Sequence, residues 1–375
     1  MTAYREVPAR CVLEGVPRIH FYEGGPGCPE DICFPSALKA VMQYLGDPIG
    51  CKHTDPPTRR LAACGYAWLV GVTGEAFALS WAKDWQYTSA IHEFADEQNY
   101  GPYRQALDAL GYDCYIDQAC AGTSAAIGGI RASIVDRHRP AIGFGVVGPP
   151  EAAIITGYDE HGAVLIGWSF FQKEPQFTVG LEYEPCGYFR AREWTGRTEA
   201  VLTIGEKRAE PRQEQVVLRA LRWNSEVARR KQVRGAANGL AAYNAWASAL
   251  ADEARFADLD EATLRRCHQR HDMNVGAVAE SRWYGAQFLI EAAEHVHYSM
   301  VEDLFAAAAR LAGEHDLMWK AWDACGGNGN PEAWRYLADP AVRRQLVQLI
   351  RASRAKDADA VSHLEHALAL QQLLP

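Results

Sequence analysis

Long apolar runs are missing from this sequence. No uninterrupted hydrophobic stretch approaches the roughly 20 residues that a membrane-crossing helix needs, and the opening Met-Thr-Ala-Tyr-Arg-Glu-Val-Pro has no basic patch followed by an apolar core. The expectation is a cytoplasmic protein with no membrane partner. No pair among the ten cysteines has Cys-x-x-Cys spacing, which removes the usual zinc-ribbon and dithiol signatures. In a long chain of this kind the cysteines read as reduced thiols. A basic stripe is absent too: 38 Lys and Arg are interspersed with 47 Asp and Glu for a net charge of -9. That distribution argues against a nucleic-acid surface and leaves an uncharged or cationic small molecule open as partner. No internal repeat or low-complexity tract occurs.

The 375 residues, 48% of them hydrophobic and 23% charged, are ordinary for a globular chain and enough for two cores. Composition changes near residue 205. Of 18 prolines 14, and of 32 glycines 24, fall in the first 210 residues, and the remainder is rich in Ala, Leu, Arg and Glu. This predicts a loop-rich α+β domain over 1–205 and a helical domain over 212–375, with the polar, proline-bearing segment Glu206 to Gln213 as boundary.

In the first part Ala141 to Val147, Ala152 to Tyr158 and Ala163 to Trp168 read as buried strands. The last two are joined by Asp159-Glu160-His161-Gly162 and predict an antiparallel hairpin. Tyr103 to Leu110 and Ser124 to Arg137 read as helices, the first stopped by Gly111 and the second by Pro140. Helices on one side of an antiparallel sheet make an α+β domain. In the second part Leu240, Tyr243, Trp246 and Leu250 share a helical face, as do Val342, Leu346 and Ile350, then Val361, Leu364 and Leu368. Such a helical domain could cover the face of the first or mediate a homodimer.

The segment Cys33-Phe34-Pro35 to Gly46 carries the sharpest chemical signal. Leu38, Val41, Met42 and Leu45 recur at helical spacing, Pro35 suits the first turn and Gly46 the C-terminal cap, so Cys33 falls at a helix N-terminus. There the helix dipole favours a thiolate and backbone N–H groups can hold an oxyanion. The plain alternative is a buried capping cysteine.

This segment resembles the nucleophile helix of papain-like C39 peptidases and their relatives. Together with Gly71 to Trp81 and the hairpin from Glu151 to Trp168, it is most similar to the N-terminal domain family of the butirosin biosynthesis protein H, papain-like acyl-transfer proteins often followed by a helical region. The resemblance implies a papain-like domain with antiparallel sheet, a small-molecule or acyl-thioester substrate, no cofactor and no metal. It makes Cys33 the candidate nucleophile. The family histidine position holds Glu151, the aspartate position falls about Gly167 to Trp168, and the oxyanion glutamine is replaced by Gly27.

A carboxylate is a poor base for a thiol and as an anion opposes thiolate formation, so Glu151 cannot simply replace the histidine. It could act as an acid if buried, or bind a substrate amine; otherwise it is a solvent-facing strand residue. Glu30 and Asp31 lie close to Cys33, and Asp31, Glu75, Phe77, Trp81 and Trp168 are candidate pocket residues. Gly71 and Gly74 would let a ligand approach the backbone. His20, His53, His92 and His138 lack the family's neighbours, and Cys28 is a candidate resolving thiol. Cys267, His271, His295 and His297 could assemble a zinc site across two helices, although no closed spacing supports one. The functional expectation is thiol-dependent acyl transfer or amide formation; the alternative is a pseudoenzyme retained for binding or interaction.

Overall fold

The computed structural model describes residues 8–19, 29–47, 49, 65–85, 100–118, 123–209, 211–327 and 329–373. Its longer helices are α1 (Cys33–Tyr44), α2 (Gly65–Thr73), α3 (Gly101–Ala109), α4 (Thr123–Arg131), α5 (Gln213–Arg229), α6 (Leu240–Ala251), α7 (Glu261–Ala292), α8 (Val301–Ala324) and α9 (Pro340–Gln372). Its strands are β1 (Cys11–Val12), β2 (Ser80–Trp81), β3 (Tyr112–Gln118), β4 (Ala141–Phe144), β5 (Ala152–Asp159), β6 (Val164–Trp168), β7 (Glu182–Tyr183), β8 (Phe189–Ala191), β9 (Ala200–Lys207), β10 (Gln232–Val233) and β11 (Ala236–Asn238). Among the described residues no helix is long and apolar enough to cross a membrane.

The chain divides into two compact units. The first joins Met1–Cys51 to Ala106–Pro211, and the second joins Lys52–Gln105 to Arg212–Pro375. The described residues 65–85 and 100–105, which composition groups with the loop-rich first part, therefore belong with the helices. The physical reason is visible in α2, every residue of which is buried: a helix apolar all round needs partners on all sides, and α5 and α7 supply them.

The first unit is an eight-stranded antiparallel sheet in the order β3-β9-β4-β5-β6-β8-β7, with β1 added against β5. Strands β4, β5 and β6 are short runs of Ala, Ile, Val and Leu with almost every residue buried, the pattern of central strands covered on both faces. The expected hairpin is present: β5 and β6 pair antiparallel from Ile154↔Trp168 to Asp159↔Val164. β4 occupies the neighbouring edge of β5 only as far as Ile155, and β1 continues that edge at Gly157 and Tyr158. A Cβ at Gly157 would meet Val12 and the Cys11 carbonyl, so glycine is what admits β1 there.

Helix α4 ends earlier than the periodicity suggests and passes into a π-helical turn, Ala132–Asp136. Arg139 N–H then bonds the Ser133 carbonyl at 2.9 Å before Pro140 leads into β4.

In the second unit α7, α8 and α9 pack side by side, with α6 against α9. The apolar stripes read from the sequence lie in its core: Tyr243, Trp246, Leu250, Leu346, Ile350, Val361 and Leu364 are fully buried. A three-stranded sheet, β10-β11-β2, lies beside α6.

Candidate functional site

Cys33 is the first residue of α1, after an N-cap Ile32 in extended conformation. Ile32 has no side chain that can cap, and Pro35 in the first turn has no N–H to be satisfied. Cys33 is 4% exposed. Its Sγ donates to the Asp31 carbonyl at 3.8 Å. Glu30 forms an ion pair with Lys39 at 2.6 Å, and Asp31 is half-buried.

Glu151 immediately precedes β5 and is 7% exposed. Its carbonyl accepts from Gly145 N–H at 3.1 Å, closing the loop between β4 and β5. Phe34, next to Cys33, stacks on Phe144 with ring centroids 6.2 Å apart. Phe144 is paired with Ala152, next to Glu151. The helix mouth and residue Glu151 thus belong to the same end of the sheet.

The histidines described in this unit belong elsewhere. β5 runs eight residues from Ala152 to Asp159, about 23 Å at 3.3 Å per step. His161 lies in the turn beyond its far end, and His138 is exposed, just ahead of Ala141 where β4 starts opposite Ile155. His20, His53, His92, Cys28 and Gly27 lie outside the described residues.

The position that the resemblance gives to a catalytic aspartate is closed as well. A Cβ on Gly167 would collide with the Ile154 carbonyl. Its neighbour Trp168 is a packing residue: the indole N–H donates to the Val16 carbonyl at 3.0 Å, and the ring meets Tyr188 edge-on at 4.9 Å.

Glu75, Phe77 and Trp81 lie in the second unit. Gly74 takes φ +88 and starts a 3-10 turn, Glu75–Phe77. Phe77 is fully buried beneath the Arg282 guanidinium, 5.8 Å from its ring centre, and Glu75 is buried. Gly71 and Gly74 serve helix packing rather than ligand approach: Cβ atoms there would strike Phe288 and Trp223. Trp223 and Asn224 instead donate to the Thr73 and Gly71 carbonyls at 2.8 and 2.7 Å. Trp81 is the residue of this set that lines a cavity of about 500 Å³.

The three histidines considered for zinc have separate partners, and Cys267 is buried. His271 Nδ1 accepts from Trp246 Nε1 at 3.2 Å, His295 meets the Trp68 ring edge-on at 6.0 Å, and His297 Nδ1 bonds Ser299 at 2.9 Å. Burial, with the neighbouring His268, pushes the His271 imidazole down to about 3. Among the described residues no group of three potential ligands is positioned to hold a metal.

The polar centre of the second unit carried no recognisable sequence signal. Arg282, Glu314, Asp357 and Tyr243 are fully buried together. Arg282 grips Asp357 with Nε to Oδ1 at 3.2 Å and Nη2 to Oδ2 at 2.7 Å, and donates to the Ala78 carbonyl at 3.2 Å. Tyr243 donates to Glu314 and stands 3.0 Å from Asp357. Burial, then the charge of Asp357, raises the Glu314 carboxyl well above its ordinary value. The raised value favours the neutral form of Glu314, and the cluster is an internal brace with the Arg282–Asp357 pair at its centre.

No family model matches the chain, and no curated protein matches it at a significant level.

Proposed function

We propose that the protein is a thiol-dependent acyl transferase of papain-like type. Cys33 accepts an acyl group from a small thioester, and Glu151 holds the ammonium of the acceptor. The observation that carries this reading is the helix mouth: a thiol on the first residue of α1, tied through Phe34 and Phe144 to the strand end that Glu151 opens. A helix N-terminus favours both a thiolate and the oxyanion of a tetrahedral intermediate.

In the first step Cys33 sulfur attacks the donor carbonyl, a new carbon–sulfur bond replaces the old one, and the thiol proton leaves with the released donor thiol. The acceptor amine, once it has lost its proton to solvent, then attacks the acyl-enzyme. An amide forms, and the proton shed by the attacking nitrogen restores the Cys33 thiol. No redox partner is needed. Peptide hydrolysis fits less well, since expulsion of an amine asks for an imidazole-type acid. A working thiol must stay reduced, which suits the cytoplasmic setting expected from the sequence.

A second reading, a binding module that retains the fold without catalysis, is favoured by two observations. The described histidines of this unit lie at the far ends of β4 and β5, and the Cys33 thiol donates to a carbonyl. Intact-mass measurement after incubation with a panel of acyl thioesters separates the two. The transferase reading expects a stoichiometric acyl adduct that disappears in Cys33→Ala. A folded wild-type protein that forms no adduct with any donor supports the binding module.

A further inference from the structure

In the cavity of about 500 Å³ in the second unit, the charged residues among the described lining are all basic. Lys83, Lys231 and Arg255 stand around it with Gln232, while Trp81, Trp85 and the small residues Ala237, Ala245 and Ala249 form its apolar wall. Among the described residues lining it none is acidic, in a chain whose net charge is -9. The volume is that of a typical small-molecule site.

Each part of the wall has a structural origin. Ala245 and Ala249 are four apart on α6 and present one face; larger residues there would fill the space. Ala237 pairs with Trp81 across β11 and β2, and the turn from β10 to β11 places Gly235, at φ +81, on the rim. The tryptophans are held rather than mobile. Trp81 stacks on Trp246 at 5.9 Å and meets Trp85 edge-on at 5.0 Å. Arg255 lies over the Trp85 ring at 5.9 Å, so its guanidinium is fixed at the wall. Lys83 and Lys231 are exposed, and among the described residues neither forms an ion pair. Two ammonium groups left in water beside a dry, preformed wall can meet an anion without first breaking a bridge.

We infer that this cavity binds a small amphipathic anion, an acyl or aromatic group carrying a carboxylate, sulfonate or phosphate. The apolar body lies against Trp81, Trp85 and the alanines, and the charged head reaches Lys83, Lys231 and Arg255. The inference stands on the second unit alone and is independent of the Cys33 chemistry.

The test uses the full chain and two fluorescent probes, 8-anilinonaphthalene-1-sulfonate and its neutral counterpart N-phenyl-1-naphthylamine. The sulfonate is expected to bind saturably at one site per chain, at least tenfold tighter than the neutral probe, and more weakly as salt rises. Lys83→Glu with Lys231→Glu should weaken the sulfonate at least tenfold and leave the neutral probe within twofold. Ala245→Leu with Ala249→Leu should abolish the binding of both. The lysines are exposed, so the charge-reversed protein should keep the wild-type circular dichroism. Equal affinity for the two probes, sulfonate binding unchanged in both double variants, or no saturable binding to folded wild type would overturn the inference.

Discussion

Gly71 and Gly128 both sit inside helices, yet their surroundings give the same substitution opposite signs. Alanine in place of an exposed helical glycine ordinarily gains about 0.5–1 kcal/mol. At Gly128 nothing lies within 4 Å of an added Cβ, so Gly128→Ala should raise stability by about that amount. At Gly71 the same methyl falls on the Phe288 ring. Overpacking in a rigid core costs about 1–3 kcal/mol and outweighs the propensity gain, so Gly71→Ala should lower the urea midpoint. Equal shifts in the two variants would contradict the packing assigned to α2. Sequence patterning at this scale carried Cys33 to the first residue of its helix, because apolar periodicity and two punctuating residues, Pro35 and Gly46, agree there. It could not assign Gly71 or Gly74, because a glycine that admits a ligand and one that admits a neighbouring tryptophan or phenylalanine look alike in the chain.

Within the elements, the brace of Arg282, Asp357, Glu314 and Tyr243 connects α7, α9, α8 and α6. Its pH response follows from Glu314. A folded-state value raised above 4.5 means that the native protein keeps a proton which the unfolded chain releases. The stabilisation is complete below about pH 4.5 and declines as pH rises towards the folded value. The slope is about 1.4 kcal/mol per pH unit. Glu314→Gln keeps the shape and a neutral group but cannot titrate. From about pH 5 upward the variant should therefore gain on wild type at that slope, read from urea unfolding at a series of pH values. Parallel curves would contradict the buried, protonated carboxyl. Helices α6 and α9 were legible from their apolar stripes, and the β5–β6 hairpin from two apolar runs around a turn cluster. The brace was not, since Arg282, Glu314 and Asp357 look like the solvent side of amphipathic helices. α2 also escaped, because an all-round apolar run has no period to separate helix from strand.

On the scale of the whole molecule, composition marks a change near residue 205 but cannot show that 65–85 packs with the helices. Of the candidate residues read from the sequence, Cys33, Asp31, Glu151 and Trp168 fall in the first unit, and Glu75, Phe77 and Trp81 in the second. The charged lining of the cavity, from Lys83, Lys231 and Arg255, comes from three separate stretches of the second unit, and only their packing assembles it. The central claim is that Cys33 and Glu151 form one site at the α1 end of the eight-stranded sheet. It is tested most directly by the pH dependence of Cys33 alkylation, read by peptide mass in wild type and in Glu151→Gln. A neighbouring carboxylate opposes thiolate formation; two charges about 6 Å apart at an effective dielectric near 20 interact by about 2–3 kcal/mol before solvent screening. The account predicts that the alkylation midpoint moves to lower pH in Glu151→Gln, by about one unit or more. An identical midpoint in the folded variant would place the carboxylate outside the reach of the thiol and contradict the shared site.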